Sequence, residues 1–126
     1  MPAAQGDPAS HAERPGFRIQ KTVSSGVVVL SVEDVVDLLT APLLDATIGD
    51  ELRQGPTGLV VDLTAVTFLA SAGMTTLVKA HEQAGTAVSF AVVANGPTTS
   101  RPLKLLGLDA TLALYPTLDD ALRELR

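Results

Sequence analysis

Two compact runs of apolar and β-branched residues constrain the fold of this chain most strongly. They cover residues 59–63 (LVVDL) and 87–94 (AVSFAVVA). Runs of this kind are typical of central strands that are buried on both faces, because neither side of such a strand meets water. The sequence therefore predicts two strands in the middle of a sheet that is covered on both sides.

A hairpin is expected upstream of these strands. Residues 17–23 alternate between apolar and polar positions, and a second apolar run, VVVLSV, follows Ser24, Ser25 and Gly26. Alternation with a period of two indicates a half-buried strand, and a Ser-Gly turn between two such runs indicates a β-hairpin. Phe17, Ile19, Lys21 and Val23 fall on one side of the first strand, with polar residues on the other. A last short strand is predicted near 112–114.

Helical periodicity separates the later strands. Apolar residues recur every three or four positions in 40–54, in 71–84 and after Thr117, with a weaker pattern in 99–106. Thr117 and Asp120 resemble a capping box, with Asp in place of the usual Glu. The predicted order is β-β-α-β-α-β-α-β-α, and right-handed crossovers make this an α/β fold. We expect a small, mixed, mostly parallel sheet with helices packed on it and one added edge strand.

The chain is expected to form one domain. Its 126 residues suit a single folding unit. Residues 1–16 hold three of the eight prolines and no apolar residue other than Ala and Met, which predicts a mobile tail before a domain at 17–126.

Composition excludes several classes of function. The net charge is −5 and the basic residues are scattered singly, so direct binding of nucleic acid is not expected. No uncharged stretch reaches the roughly 20 apolar residues of a membrane span. The chain has no Cys, which excludes thiol catalysis and thiolate metal sites and fits a cytoplasmic protein.

Enzymatic catalysis is not expected either. Ser71 and His81 fall on one predicted helix about 15 Å apart, too far to act as nucleophile and base. His11 lies in the predicted tail. No phosphate-binding loop or dinucleotide fingerprint is present, and no metal site or cofactor is expected.

The segment from Leu59 to Met74, LVVDLTAVTFLASAGM, is the most informative. We interpret it as a strand ending at Asp62, a short connection with Val66 and Phe68, and a helix that opens at Ser71. A serine there either caps the helix or offers a hydroxyl to another molecule, beside small residues that allow close approach. The local pattern leaves both interpretations open.

This segment also resembles a known family. The run VVDLTAVTFLASAG, Asp37 within VEDVVDLLTAPLL, and LKLLGLDATLALYPTLDDAL together resemble a STAS domain, specifically the bacterial anti-sigma factor antagonists, over residues 17–125. The resemblance implies a binding module that docks on an anti-sigma factor, often a kinase-like ATPase, and so releases a sigma factor. It also implies that the partner phosphorylates a serine at this helix start, which ends docking, and that a phosphatase reverses the modification. The ATP would belong to the partner.

The chain departs from the family at the phosphorylation motif. Family members commonly have Asp-Ser-Ser-Gly or Asp-Ser-Ala-Gly, and where two serines are present the second is usually the acceptor. Here the motif is Ala70, Ser71, Ala72 and Gly73, so alanine occupies that acceptor position. Ser71 is the only serine left in the motif, and Thr75 and Thr76 are expected within the helix. Three interpretations remain open: Ser71 is phosphorylated, the protein is a constitutive antagonist, or another residue carries the switch.

The remaining candidate residues complete a predicted docking surface. Asp37 matches the family's Asp after the second strand, although a loop-capping role explains it equally well. Asp62 is expected to accept backbone N–H bonds, and Gly73 to allow close approach of a partner or of the first strand. Met74 is expected to be a core residue first and to contribute to the interface second. The predicted partner-binding residues are Asp37, Ala70, Ser71, Ala72, Gly73, Met74 and Thr75. The alternative function is a STAS module that senses a nucleotide or another small molecule.

Overall fold

The computed structural model describes residues 16–125. The predicted tail at 1–16 lies outside the described residues except for Gly16. The elements are β1 (Arg18–Ser24), β2 (Val27–Val36), α1 (Ala41–Arg53), β3 (Gly58–Leu69), α2 (Ser71–Ala84), β4 (Ser89–Val93), α3 (Ser100–Leu105), a 3-10 turn (Leu108–Ala110), β5 (Leu114–Tyr115) and α4 (Leu118–Leu125). This order of strands and α-helices is the predicted one.

The five strands form one mixed sheet in the order β1-β2-β3-β4-β5. β1 pairs with β2 antiparallel, and the other neighbours are parallel. The predicted α/β class and the added edge strand are therefore confirmed. The hairpin between β1 and β2 turns through Ser25 and Gly26, whose φ angles of 51° and 82° are both positive, as a type I′ turn requires.

Helices cover the sheet on both faces. α1, α2 and α3 pack on one face, where Ile48, Leu77 and Leu103 are fully buried in the larger core cluster. α4 packs alone on the other face and places Ala121 and Leu122 against Val60 and Val93. Burial on both faces is the reason why β3 and β4 appear in the sequence as compact apolar runs.

β3 is longer than the sequence predicted. The interpretation of Val66 and Phe68 as part of a short connection is wrong, because β3 continues to Leu69. Its pairing with β2 shifts register twice, between Ser31 and Glu33 and between Asp34 and Val35. Each shift places one extra residue in β3, and such a bulge interrupts the alternation of inner and outer side chains by which a strand is recognised.

The C-terminal strand also differs from its predicted position. β5 lies at Leu114–Tyr115, whereas Leu112 is 2% exposed and belongs to the core beneath the helices. The predicted cap of α4 is present in part, because the Asp120 N–H donates to Thr117 Oγ1 at 3.1 Å. The Asp120 carboxylate instead pairs with Arg123.

Lys21 lies on the inner side of β1, where an apolar residue is the usual choice. Its Nζ is 2.9 Å from Oε1 of Glu51, which is buried in α1. The ion pair therefore joins the edge strand to the first helix. Val23, on the same side of β1, is 62% exposed, so this side of the strand is only partly buried.

Candidate partner-docking site

The start of α2 exposes a serine that is not a cap. Ala70 is the N-cap residue, with φ −81° and ψ 169°, and it makes no side-chain cap hydrogen bond. Ser71 is the first residue of the helix and is exposed. Its hydroxyl has no hydrogen bond to any residue in 16–125. The interpretation of Ser71 as a capping residue is therefore wrong, and its hydroxyl is open to solvent.

The ends of β2 and β3 hold this helix start in place. The Ala70 N–H donates to the Val36 carbonyl at 2.8 Å, and Val36 pairs with Leu69. Asp37 follows Val36 directly, so the structure brings the Asp37 turn beside the Ser71 helix start. These two predicted parts of the docking surface therefore lie at the same edge of the sheet.

Gly73 is buried where α2 meets these strand ends. A Cβ atom there would lie 2.6 Å from Val36 Cγ1 and 2.7 Å from Leu69 Cδ1, closer than carbon atoms pack. The strands that lie close to Gly73 are thus β2 and β3. The prediction that the first strand approaches it is wrong. Met74 is 8% exposed and belongs to the core, as predicted.

Asp37 organises the turn between β2 and α1. Its Oδ1 accepts hydrogen bonds from the backbone N–H groups of Leu39 at 2.9 Å and Thr40 at 3.1 Å. The Thr40 hydroxyl donates to the Val35 carbonyl at 2.8 Å and accepts from the Asp37 N–H at 2.9 Å. This supports the loop-capping interpretation of Asp37. One consequence is that Leu38 and Leu39 stand 78% and 64% exposed.

Clefts flank α2 on both sides of its first turns. A cavity of about 260 Å³ separates α1 from α2 and is lined in part by Leu38, Ala72 and Thr75. Another, of about 290 Å³, is lined by Ser71, Met74, Thr75, Val78, Leu106 and Leu108. Ser71 and Thr75 therefore lie on a ridge between the two clefts. Leu38 lies across the first cleft and Leu106 across the second.

Large exposed apolar side chains concentrate at this end of the molecule. Leu38 and Leu106 border the clefts beside α2, and Phe68 precedes the helix start in sequence. We call the Ser71 surface the set formed by Ser71, Thr75, Leu38, Leu39, Phe68, Leu105 and Leu106. Of the six large hydrophobic residues exposed within 16–125, five belong to this set, and Val23 is the other. Exposed apolar patches of this kind mark sites of protein interaction.

Sequence reasoning missed these apolar residues. The pairs at 38–39 and 105–106 were available in the sequence, but apolar pairs beside helix ends are common in cores too. Their exposure depends on how the turns that carry them are oriented.

Asp62 lies away from the Ser71 surface. It is in the middle of β3 and not at the strand end as expected, and it is 8% exposed. Its Oδ1 accepts a hydrogen bond from the Thr64 N–H at 3.0 Å, which confirms the predicted bond to backbone. It follows Val60 by two residues, so its side chain lies on the face that α4 covers.

Comparison with known proteins identifies the family. The STAS domain model matches residues 18–121, which is most of the sheet and its helices. The chain therefore belongs to the STAS domain family, as its sequence motifs and its fold both indicate.

Particular relatives are similar over most of their length. The Anti-sigma-F factor antagonist RsfB of Mycobacterium tuberculosis is 47% identical over 102 residues, covering 81% of this chain and 84% of the relative. The crystal structure of an anti-sigma factor antagonist from Mycobacterium paratuberculosis matches with a TM-score of 0.85 and 43% identity, covering 91% of this chain and 98% of that one. The Bacillus cell fate determinant SpoIIAA, in its phosphorylated form, shares the fold with a TM-score of 0.65 and 19% identity, over 87% of this chain and 99% of that one.

Within 16–125, no group of three or more His, Cys, Asp and Glu side chains is arranged to hold a metal ion. In the same range no helix has the length and apolar character needed to cross a bilayer.

Proposed function

We propose that this protein is an anti-sigma factor antagonist, which docks on an anti-sigma factor and so releases the sigma factor that the anti-sigma factor holds. The proposal is supported by relatives at 47% and 43% identity that carry this function in their names. The observation that carries it is the Ser71 surface, because exposed Leu38 and Leu106 border the clefts that flank the start of α2 and exposed Phe68 lies two residues before its cap. Burial of such side chains drives most protein association.

The remaining predicted residues take different parts in this docking. Ser71 and Thr75 are exposed and Ala70 and Ala72 are half-buried, so all four are accessible to a partner. Gly73 and Met74 are buried. In this proposal they act indirectly, by packing α2 against the strand ends. Asp37 acts by holding the turn that presents Leu38 and Leu39.

Phosphorylation of Ser71 is the proposed switch. A phosphate would add a charge of about −1.5 to −2 in the middle of an apolar contact surface. Its interaction with the start of α2 is favourable by only about 0.3–1 kcal/mol, whereas burying it against Leu106 of the neighbouring cleft would cost more. We therefore propose that the modification ends docking.

Other hydroxyl groups near Ser71 differ in accessibility. The Thr76 side chain is buried, and its hydroxyl donates to the Ala72 carbonyl at 3.1 Å. Thr75 is exposed on the same ridge as Ser71. Thr75 is therefore the second candidate acceptor, and Thr76 is not a candidate. If neither residue is modified, the protein is a constitutive antagonist.

The proposed partner is an anti-sigma factor of the kinase-like ATPase class in the bacterial cytoplasm, with a phosphatase that restores the unmodified protein. ATP would bind to the partner, and this chain would need no cofactor. The kinase class is what the resemblance to the family implies, and the exposed hydroxyl of Ser71 would give such a partner a group to modify.

A phosphorylation and binding experiment tests the proposal. Purified serine-kinase anti-sigma factors of the source organism are titrated with the wild-type protein, then incubated with it and ATP, and the products are read by mass spectrometry. We expect tight binding before ATP and phosphate on Ser71 afterwards. Binding without phosphate on Ser71 or Thr75 would favour constitutive antagonism. Absence of binding to every such factor would overturn the proposed function.

Substitutions of Ser71 test the switch separately. We expect Ser71→Asp to weaken binding at least tenfold, or about 1.4 kcal/mol, because it introduces a charge into the contact. Ser71→Ala should bind like the wild type, since it keeps the position small and neutral. Equal affinity of the two variants would show that the position does not control docking.

The ligand-sensing alternative has less support. Among the residues lining the two clefts that flank the first turns of α2, Lys79 is the sole basic side chain, and its Nζ is 3.1 Å from Asp45 Oδ2. A nucleotide needs positive charge near its phosphates. Calorimetric titration with nucleotides in the absence of a partner would reveal such a ligand.

A further inference from the structure

α3 carries two basic side chains that have no acidic partner among residues 16–125. Residues 16–125 include seven Lys and Arg residues, and four of them form ion pairs within the chain: Lys21, Arg53, Lys79 and Arg123. The other three, Arg18, Arg101 and Lys104, form none with the described residues, although the chain has a net charge of −5. Of these, Arg101 and Lys104 lie on α3. Both side chains are exposed. Their positive charge is therefore free to attract an acidic group of another molecule.

These two cations lie at the same place on the surface. They are three residues apart on α3, so they lie on one side of the helix. Both line a cleft of about 610 Å³, together with Asn95, Gly96, Pro97, Ser100 and Leu105. A carboxylate placed in this cleft would have both cations in reach.

An apolar area adjoins the cations. Leu105 is 72% exposed and also lines a second cleft of about 380 Å³, which it shares with Phe68 and Arg101. Phe68 is itself 56% exposed. We call the α3 surface the set formed by Arg101, Lys104, Leu105 and Phe68. It combines positive charge with exposed apolar side chains.

The α3 surface overlaps the Ser71 surface, because Leu105 and Phe68 belong to both. Leu106 follows Leu105 directly and lines the cleft that also contains Ser71. Phe68 is two residues from the cap of α2 at Ala70. A partner that covers Ser71 and Leu106 would therefore also reach Leu105 at the end of α3.

The form of the cleft favours a protein over a small molecule. Small-molecule sites bury most of their ligand, whereas five of the seven residues that line the larger cleft are exposed. A segment of polypeptide needs no such enclosure, because it contributes its own surface. The rest of this acidic chain would also repel an acidic segment, which would fix where that segment docks.

We infer that the anti-sigma factor extends past Ser71 onto the α3 surface and places an acidic segment there. Its carboxylates would face Arg101 and Lys104, and an apolar side chain beside them would pack between Leu105 and Phe68. This inference rests on the proposed function and adds the chemistry of the partner's second contact.

Charge reversal on α3 tests the inference. The Arg101→Glu/Lys104→Glu variant is compared with an Arg53→Glu/Arg123→Glu control, which changes the net charge equally at residues outside both surfaces. Affinities for the purified anti-sigma factor are measured at low and at high salt, and thermal unfolding confirms that both variants are folded. We expect the α3 variant to bind at least tenfold more weakly at low salt, with a smaller difference at high salt. The control should bind within about twofold of the wild type.

The other outcomes distinguish failure of this inference from failure of the proposed function. If the wild type binds and the α3 variant binds equally well or more tightly, the inference is overturned and the proposed function stands. An equal loss in the α3 variant and the control would indicate a general charge effect and would also overturn it. If the wild type binds no anti-sigma factor, the proposed function fails and this inference fails with it.

Discussion

At the scale of single residues, the site depends on small side chains at the start of α2. Gly73 is buried against Val36 and Leu69, and Ala70 caps the helix with backbone alone. Small residues allow the helix to approach the strand ends, so that the neighbouring Ser71 projects outward. The accessibility of the serine is thus a consequence of packing on the opposite side of the helix.

Substitution of Gly73 tests this packing. We expect Gly73→Ala to lower the free energy of unfolding by about 1–2 kcal/mol, because the added methyl would lie 2.6 Å from Val36 Cγ1. Gly49→Ala is the matched control in α1, where the nearest atom, Arg53 Nη1, is 3.5 Å away. The control should be unchanged or up to about 1 kcal/mol more stable, since Ala favours helix. Denaturant unfolding of both variants measures the difference, and equal stability of the two would contradict the packing argument.

The sequence predicted the place of Ser71 but not its surroundings. The strand, the small residues and the helix that follows are local patterns, so a serine at the helix start could be expected. Which residue caps the helix depends on backbone angles that Ala70 and Ser71 can both adopt. The hydrogen bond from Ala70 to Val36 decides between them, and it joins segments more than 30 residues apart.

At the scale of elements, every strand and α-helix was predicted in order, while the extent of β3 was not. The helices have apolar periodicity and the central strands are compact apolar runs, and both signals are local. The last part of β3 carries two extra residues relative to β2, so inner and outer positions stop alternating. Phe68 is then exposed although Val66 and Leu69 are buried. Because the apolar residues of this segment do not alternate regularly with polar ones, its sequence resembles that of a loop.

α4 provides a test at this scale, because it alone covers one face of the sheet. Leu122 is 8% exposed and packs on that face. We expect Leu122→Ala to lower the free energy of unfolding by about 2–3 kcal/mol through lost burial and an unfilled cavity. Leu106→Ala, which removes the same atoms from an exposed leucine, should change it by about 0.5 kcal/mol or less. Chemical denaturation compares the two, and a similar loss in both would contradict the assigned burial.

At the scale of the whole molecule, the fold gathers distant parts of the chain at one edge of the sheet. The turn after β2, the end of β3, the start of α2 and the end of α3 meet there and expose apolar side chains together. No local pattern distinguishes an exposed leucine pair from a buried one, so this surface could not be predicted from the sequence. The hairpin between β1 and β2 lies at the opposite end of the sheet.

The affinity of a surface variant for the anti-sigma factor tests the central claim most directly. Leu38→Ser/Leu106→Ser removes one apolar side chain from each side of the Ser71 ridge, and Val23→Ser removes the exposed valine near the hairpin. Both variants should unfold at the wild-type temperature. We expect the double variant to bind the factor at least tenfold more weakly, because each lost side chain contributes about 1 kcal/mol or more when buried, while Val23→Ser binds like the wild type. Wild-type affinity of the folded double variant would contradict the claim that this surface is where the partner docks.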